Sequence, residues 1–236
     1  MMDWGYHTYI PVGVRVKKTQ RLIEKLKQKD PSISPIVIEG KKIAKTFWGI
    51  SWNKNLESYA DFHNRIARGS AYLKNGMVVD LKILEGRVKS LVNGTDLYEV
   101  QIDINKLSNE SWNNITKNCS HKIENIERLA SGVFPEELKE IFLKKGDGLF
   151  PSPKEIKMSC TCPDWAVMCK HVAATLYGVG AKLDADPLIF FKLRGVDFSE
   201  LLTKSIEEKM ESMLKNSNKK TNRIIENKDI SELFGI

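Results

Sequence analysis

The sequence predicts an α+β fold, an antiparallel four-stranded meander packed with helices, joined to a small strand–knuckle–helix unit. Three observations predict it. Residues 70–104 carry three turn dipeptides, Asn75-Gly76, Glu85-Gly86 and Asn93-Gly94, which cut the stretch into four short runs. Residues 14–29 and 47–66 repeat apolar side chains at helical spacing. Three of the four cysteines fall in one window, Cys160, Cys162 and Cys169, with His171 two places after the last.

Val14 to Lys29 reads as an amphipathic helix with Leu22, Ile23 and Leu26 on its apolar side, ended by Asp30-Pro31. Ile36 to Ile38 reads as a brief strand, and Glu39-Gly40 as its turn. Phe47 to Ile66 reads as one longer helix, because Trp48, Trp52, Leu56, Tyr59, Phe62 or His63, and Ile66 recur at three and four, an aromatic stripe that reads most simply as core. In the meander, Met77, Val79, Leu81 and Ile83 alternate on one face. Tyr98, Val100, Ile102 and Ile104 do the same, so one face is buried. Ser108 to Phe142 reads as two or three helices, one begun near Pro135. Lys144 to Pro153 is a loop. Asp184 to Leu202 is a short helical closure, and the polar sequence beyond Thr203 reads as a helix fraying into a tail.

The cysteine window carries the chemistry. Cys160-x-Cys162, a six-residue loop, and Cys169-x-His171 supply three sulfurs and an imidazole, a donor set for tetrahedral zinc. In an extended segment, residues two apart share a face, so Cys160 and Cys162 can grip one ion. Two residues of helix turn through about 200°, so Cys169 should precede the first turn and His171 should open the helix. Ile156 and Met158 lead in as a strand. Val172, Ala173, Leu176, Tyr177 and Val179 follow at helical spacing, and Gly178 and Gly180 read as the helix stop. Four protein ligands leave no open position for water, so one structural zinc is expected. Three thiolates and a neutral imidazole leave a site charge of about −1. Lys157 and Lys170 are placed to offset it. Trp165, in the ligand loop beside Pro163, is expected to pack over the sulfurs.

This order of ligands resembles the SWIM zinc finger, a module named for chromatin-remodelling ATPases and transposases. Residues 162–180, C-P-D-W-A-V-M-C-K-H-V-A-A-T-L-Y-G-V-G, look like its version in bacterial SWIM zinc finger proteins. Residues 34–49, 55–59, 149–156 and 193–197 also look like that family, so the resemblance covers roughly Trp4 to Leu202. It implies zinc binding, a role in binding DNA or protein, and a link to helicase-like ATPases of the Swi/Snf type. It implies no enzymatic activity.

Charge is unevenly spread. Residues 1–45 hold ten Lys/Arg against four Asp/Glu, whereas residues 46–202 balance at twenty each. Clustered charge on one element is a better sign of a polyanion partner than a high isoelectric point. Arg15, Lys17, Lys18 and Arg21, with Lys157 and Lys170 of the finger, are the expected nucleic-acid contacts. The expected organisation is a basic N-terminal segment (1–45), an α+β domain with the meander (46–145), a SWIM-type zinc finger with helical closure (146–202) and a flexible tail (203–236). The expected function is zinc-dependent binding of nucleic acid, in the first instance DNA, without strong sequence preference. The alternative is an adaptor for a helicase-like ATPase, favoured by the neutral middle of the chain. No P-loop and no nucleophile elbow are present, and Cys119-x-His121 lacks partners for a second zinc. An enzyme, a small-molecule substrate and a membrane partner are not expected. With no apolar leader, a cytoplasmic location is.

Overall fold

The computed structural model describes residues 10–58, 63–119, 136–144, 146 and 148–217. Helix α1 (Val12–Lys29) is followed by α2 (Phe47–Glu57) and α3 (His63–Lys74). Strands β1 (Val78–Leu84), β2 (Arg87–Asn93) and β3 (Leu97–Ile104) come next, then α4 (Asn109–Cys119) and α5 (Lys139–Leu143). Strand β4 (Ile156–Cys160) leads through the knuckle to α6 (Lys170–Ala185), α7 (Ile189–Leu193) and α8 (Phe198–Ser217). No helix among the described residues is long and apolar enough to cross a membrane.

The sheet is antiparallel, four-stranded and ordered β1-β2-β3-β4, as expected. Its fourth strand is not the one expected. The run before Asn75-Gly76 is the last turn of α3, and the fourth strand is β4 of the zinc unit. The reason is local. Gly76 has φ +68°, its N–H bonds to the Leu73 carbonyl at 2.9 Å, and the Met77 N–H bonds to the Tyr72 carbonyl at 3.0 Å. That pair of bonds closes a helix in the left-handed glycine cap. A hairpin turn and a helix cap ask for the same positive-φ glycine, so Asn-Gly alone does not separate them. Glu85-Gly86 does make the β1–β2 hairpin, with Leu84 opposite Arg87.

Two other helix boundaries differ. The expected helix over 47–66 ends at Glu57, where the Ser58 N–H bonds back to the Lys54 carbonyl at 3.1 Å. Tyr59 and Phe62 lie outside the described residues, and Ile66 belongs to α3. Gly178 and Gly180 do not stop α6, which runs on to Ala185. They are there for close packing. A Cβ on Gly178 would stand 2.7 Å from Leu81 Cδ1, and one on Gly49 of α2 would stand 2.5 Å from the Gly180 carbonyl oxygen. Glycine within a helix costs about 1 kcal/mol. Here it lets α2 and α6 approach backbone to backbone. The expected strand at Ile36–Ile38 is an extended segment beside β1, tied by Ile36 N–H to the Val78 carbonyl at 3.2 Å.

Helix α6 is the spine of the core. Its inner side meets β1–β3, with Ser90 and Thr175 hydroxyls 2.5 Å apart in the buried layer. Trp52 donates its indole N–H to the Leu176 carbonyl at 2.8 Å. Trp48 is packed edge-on by Phe142, Phe190 and Phe191, with centroids 5.9–6.0 Å away. The aromatic stripe of α2 is therefore core, as its period suggested. Asp184, near the end of α6, accepts the Thr46 N–H at 3.1 Å and its hydroxyl at 2.6 Å, tying the residue before α2 to α6.

Candidate metal centre

Cys160 ends β4, paired with Val100 of β3. The chain stays anchored for one more residue, since Thr161 N–H bonds to the Glu99 carbonyl at 3.1 Å. It then turns through Cys162 and returns to Cys169, the N-cap of α6, with extended backbone at φ −74° and ψ 171°. His171 sits in the first turn of α6. The strand end supplies Cys160, the turn after it Cys162, and the start of α6 Cys169 and His171, so the four donors the spacing predicted come together.

The four donor atoms lie within 4.8 Å of one another. His171 Nδ1 is 3.8 Å from Cys160 Sγ and 3.9 Å from Cys169 Sγ. An ideal tetrahedral zinc site has edges of about 3.8 Å between sulfurs and about 3.6 Å between sulfur and nitrogen, from the standard bond lengths. The arrangement fits with sub-ångström to ångström adjustment. Each sulfur also accepts a backbone N–H: Cys160 from Cys162, Cys162 from Asp164, and Cys169 from Val172. Such bonds favour the thiolate, the form that binds metal. The hydrogen bond between Cys160 and Cys169 draws the Cys169 thiol far below its ordinary range and pushes Cys160 up, while burial raises Cys162. Three sulfurs this close repel one another when ionised, and a bound dication offsets that repulsion. The donor set is full, so the zinc is structural.

The histidine is held by its surroundings. His171 is 2% exposed. The Tyr98 ring lies 4.4 Å from it at 32°, and Tyr72 meets it edge-on at 5.5 Å. Its second nitrogen, Nε2, is buried and has no hydrogen-bond partner among the described residues. Gly94 closes this side. A Cβ there would stand 2.9 Å from Nε2 and 2.8 Å from Tyr98 Cε2. Read as a turn glycine in the sequence, Gly94 is required by the metal ligand behind it.

Trp165 does not cover the sulfurs. It is 82% exposed, with Val167 beside it at 70%. The Arg65 guanidinium of α3 lies over its ring, 5.5 Å from the centroid, and grips Asp164 with two hydrogen bonds of 3.1 and 3.3 Å. That clamp fixes the loop with the indole outward. No local signal could have shown it, because Arg65 and Asp164 are ninety-nine residues apart. Of the two lysines expected near the metal, Lys170 lies with its Nζ 5.2 Å from the Tyr72 centroid. Lys157 sits opposite Asp103 on β3, three residues up the strand from Cys160. Arg15, Lys17, Lys18 and Arg21 lie on α1. That helix reaches the centre indirectly: Asn93, next to Gly94, donates to the Thr19 hydroxyl at 2.7 Å. Cys119 is in the core at the end of α4, and His121 lies outside the described residues.

A Cys₃His knuckle mounted between a sheet edge and a helix defines a zinc-finger protein. Residues 145–178 match the SWIM zinc finger family, and the chain carries that finger. An uncharacterized protein of Mycobacterium tuberculosis is 33% identical over 163 residues, covering 68% of this chain and 58% of that protein. The chain therefore spans little more than half the length of this relative. No solved structure gives a significant match.

Proposed function

We propose that this protein is a zinc-stabilised nucleic-acid-binding module that holds the phosphate backbone without strong base preference. One observation carries the reading. Lys18, Arg21, Lys25 and Lys29 recur at three and four along α1 and are all exposed on one face, with Lys17 beside them. The opposite face, with buried Thr19 and half-buried Leu22, Ile23 and Leu26, packs inward. A rigid row of cations on an anchored helix suits a polyanion. Arg15 at the start of the row and Lys170 and Lys157 at the finger are the further expected contacts. The role assigned to the protein is binding, not catalysis.

The test is titration of a labelled duplex and a labelled single strand at several salt concentrations. Each cation that neutralises a phosphate adds roughly one unit to the log–log salt slope. Changing Arg15, Lys17, Lys18 and Arg21 to glutamine should flatten the slope and weaken binding to all sequences alike. A second reading, an adaptor for a helicase-like ATPase, draws on the outer face of the sheet. That face forms a concavity of both charge signs, lined by Asp80, Lys82, Lys89, Glu99 and Gln101. Failure of both nucleic acids to bind at low salt would replace the first reading with this one.

A further inference from the structure

The knuckle holds a second binding element that the basic helix does not explain. An exposed tryptophan is costly to leave in water, and Trp165 is fixed there rather than loose. The Asp164 carboxylate accepts the Ala166 N–H at 3.2 Å, and its two bonds from Arg65 tie the loop to α3. The guanidinium that makes those bonds also lies over the indole. About one and two turns along the same face of α3 come Arg68, exposed, and Tyr72, whose ring carries Lys170. Residues 65, 68 and 72 follow the three-and-four spacing of one helix face. Two aromatic rings, each with a cation against it, therefore flank the zinc knuckle.

We propose that Trp165 is a stacking platform for an unpaired base, so that the knuckle binds single-stranded nucleic acid. Every base offers a π-face, so stacking on an indole tolerates any sequence, and adjacent cations hold the backbone. Arg65 makes a cation–π contact with the ring, and at 82% exposure the indole still offers solvent-facing surface to a base. Arg65, Arg68 and Lys170 outweigh Asp164 and the net negative charge of a Cys₃His zinc site. A contiguous exposed apolar patch around the tryptophan would mark a protein-docking surface. Here Val167 is the one large apolar side chain exposed beside it in the loop. The proposal extends the backbone-binding reading of α1, yet it rests on different residues.

The experiment uses the full zinc-loaded chain, a fluorescein-labelled oligothymidylate of about 15 nucleotides, and a duplex of equal length. Trp165→Ala should weaken single-strand binding by roughly 5- to 150-fold, the measured worth of one stacked base, and Trp165→Phe should fall between. Duplex affinity and the salt slope should not change, because no phosphate contact is lost. Zinc content and the unfolding midpoint of both variants should match the parent, since the indole is outside the core. Equal affinity of Trp165→Ala and parent for the single strand overturns the proposal, as does an equal loss on single strand and duplex. The four-residue glutamine variant of α1 runs in parallel. Loss on both ligands in that variant, with none in Trp165→Ala, removes the stacking site and keeps the backbone reading. The reverse pattern keeps the stacking site and removes α1. No binding by the parent removes both and leaves the tip to a protein partner.

Discussion

Gly94 lies directly behind His171, so that any side chain at position 94 would meet the imidazole nitrogen that faces away from the zinc. A turn residue 77 positions upstream thereby sets the position of a metal ligand. Metal-binding histidines are usually oriented by a hydrogen bond that the second ring N–H donates. Here packing by Tyr98, Tyr72 and Gly94 does that task.

Gly94→Ala should therefore push the imidazole off its position while leaving the sheet intact. Zinc affinity should fall on the order of 10-fold, the lower end for supporting residues around a metal. Competition with a chromophoric chelator measures it. Unchanged affinity would mean that the ring has room to move.

Cys162→Ser should release the zinc, because three remaining donors include only two sulfurs. Structural zinc contributes folding free energy directly. The loss should loosen the knuckle and the first turn of α6, while the β1–β3 hairpins stay protected. Metal analysis and amide hydrogen exchange read the two effects separately. One equivalent of zinc in the purified variant would contradict the ligand assignment.

The Arg194 side chain is 1% exposed and bonds to Glu155 Oε1 and the Asn105 carbonyl, each at 2.7 Å. It ties α7 to the turn that opens β4. Burial works to raise the Glu155 carboxyl, but the Ser152 N–H, Arg194 and the Ser152 hydroxyl together hold it below its ordinary value of 4.5. The linkage is complete above that ordinary value and is lost as pH falls through the lowered folded value. Glu155→Gln leaves Arg194 without its counter-charge and should cost about 1–3 kcal/mol at neutral pH, discounted because Glu155 is partly exposed. The deficit should shrink below pH 4.5. Chemical denaturation at several pH values follows it.

Gly180→Ala tests the close packing of α6 against the Asn53 and Trp52 side chains of α2. Alanine favours an isolated helix by about 1 kcal/mol. In place, its Cβ would collide with the Asn53 amide and come within 3.2 Å of Trp52 Cδ1. Overpacking of this kind costs about 1–3 kcal/mol, so the variant should be less stable despite its better helix propensity. A raised thermal midpoint would show that α2 can shift.

The sequence by itself determined the zinc ligands, because Cys-x-Cys and Cys-x-His are local patterns and local backbone geometry places them. It also determined α1 and the faces of β3, where a single period runs unbroken through Tyr98, Val100, Ile102 and Ile104. Ambiguity began where one residue type serves two purposes. Asn75-Gly76 has the turn chemistry of a hairpin, and Gly178 and Gly180 have that of a helix stop. What stood across from them decided otherwise. The tertiary structure alone chose β4 as the fourth strand, since pairing with β3 joins residues more than fifty positions apart. It alone turned Trp165 outward, because the Arg65–Asp164 clamp exists only once α3 lies beside the knuckle. Patterns set by neighbouring residues are written in the chain, whereas burial is a property of what the folded chain brings alongside.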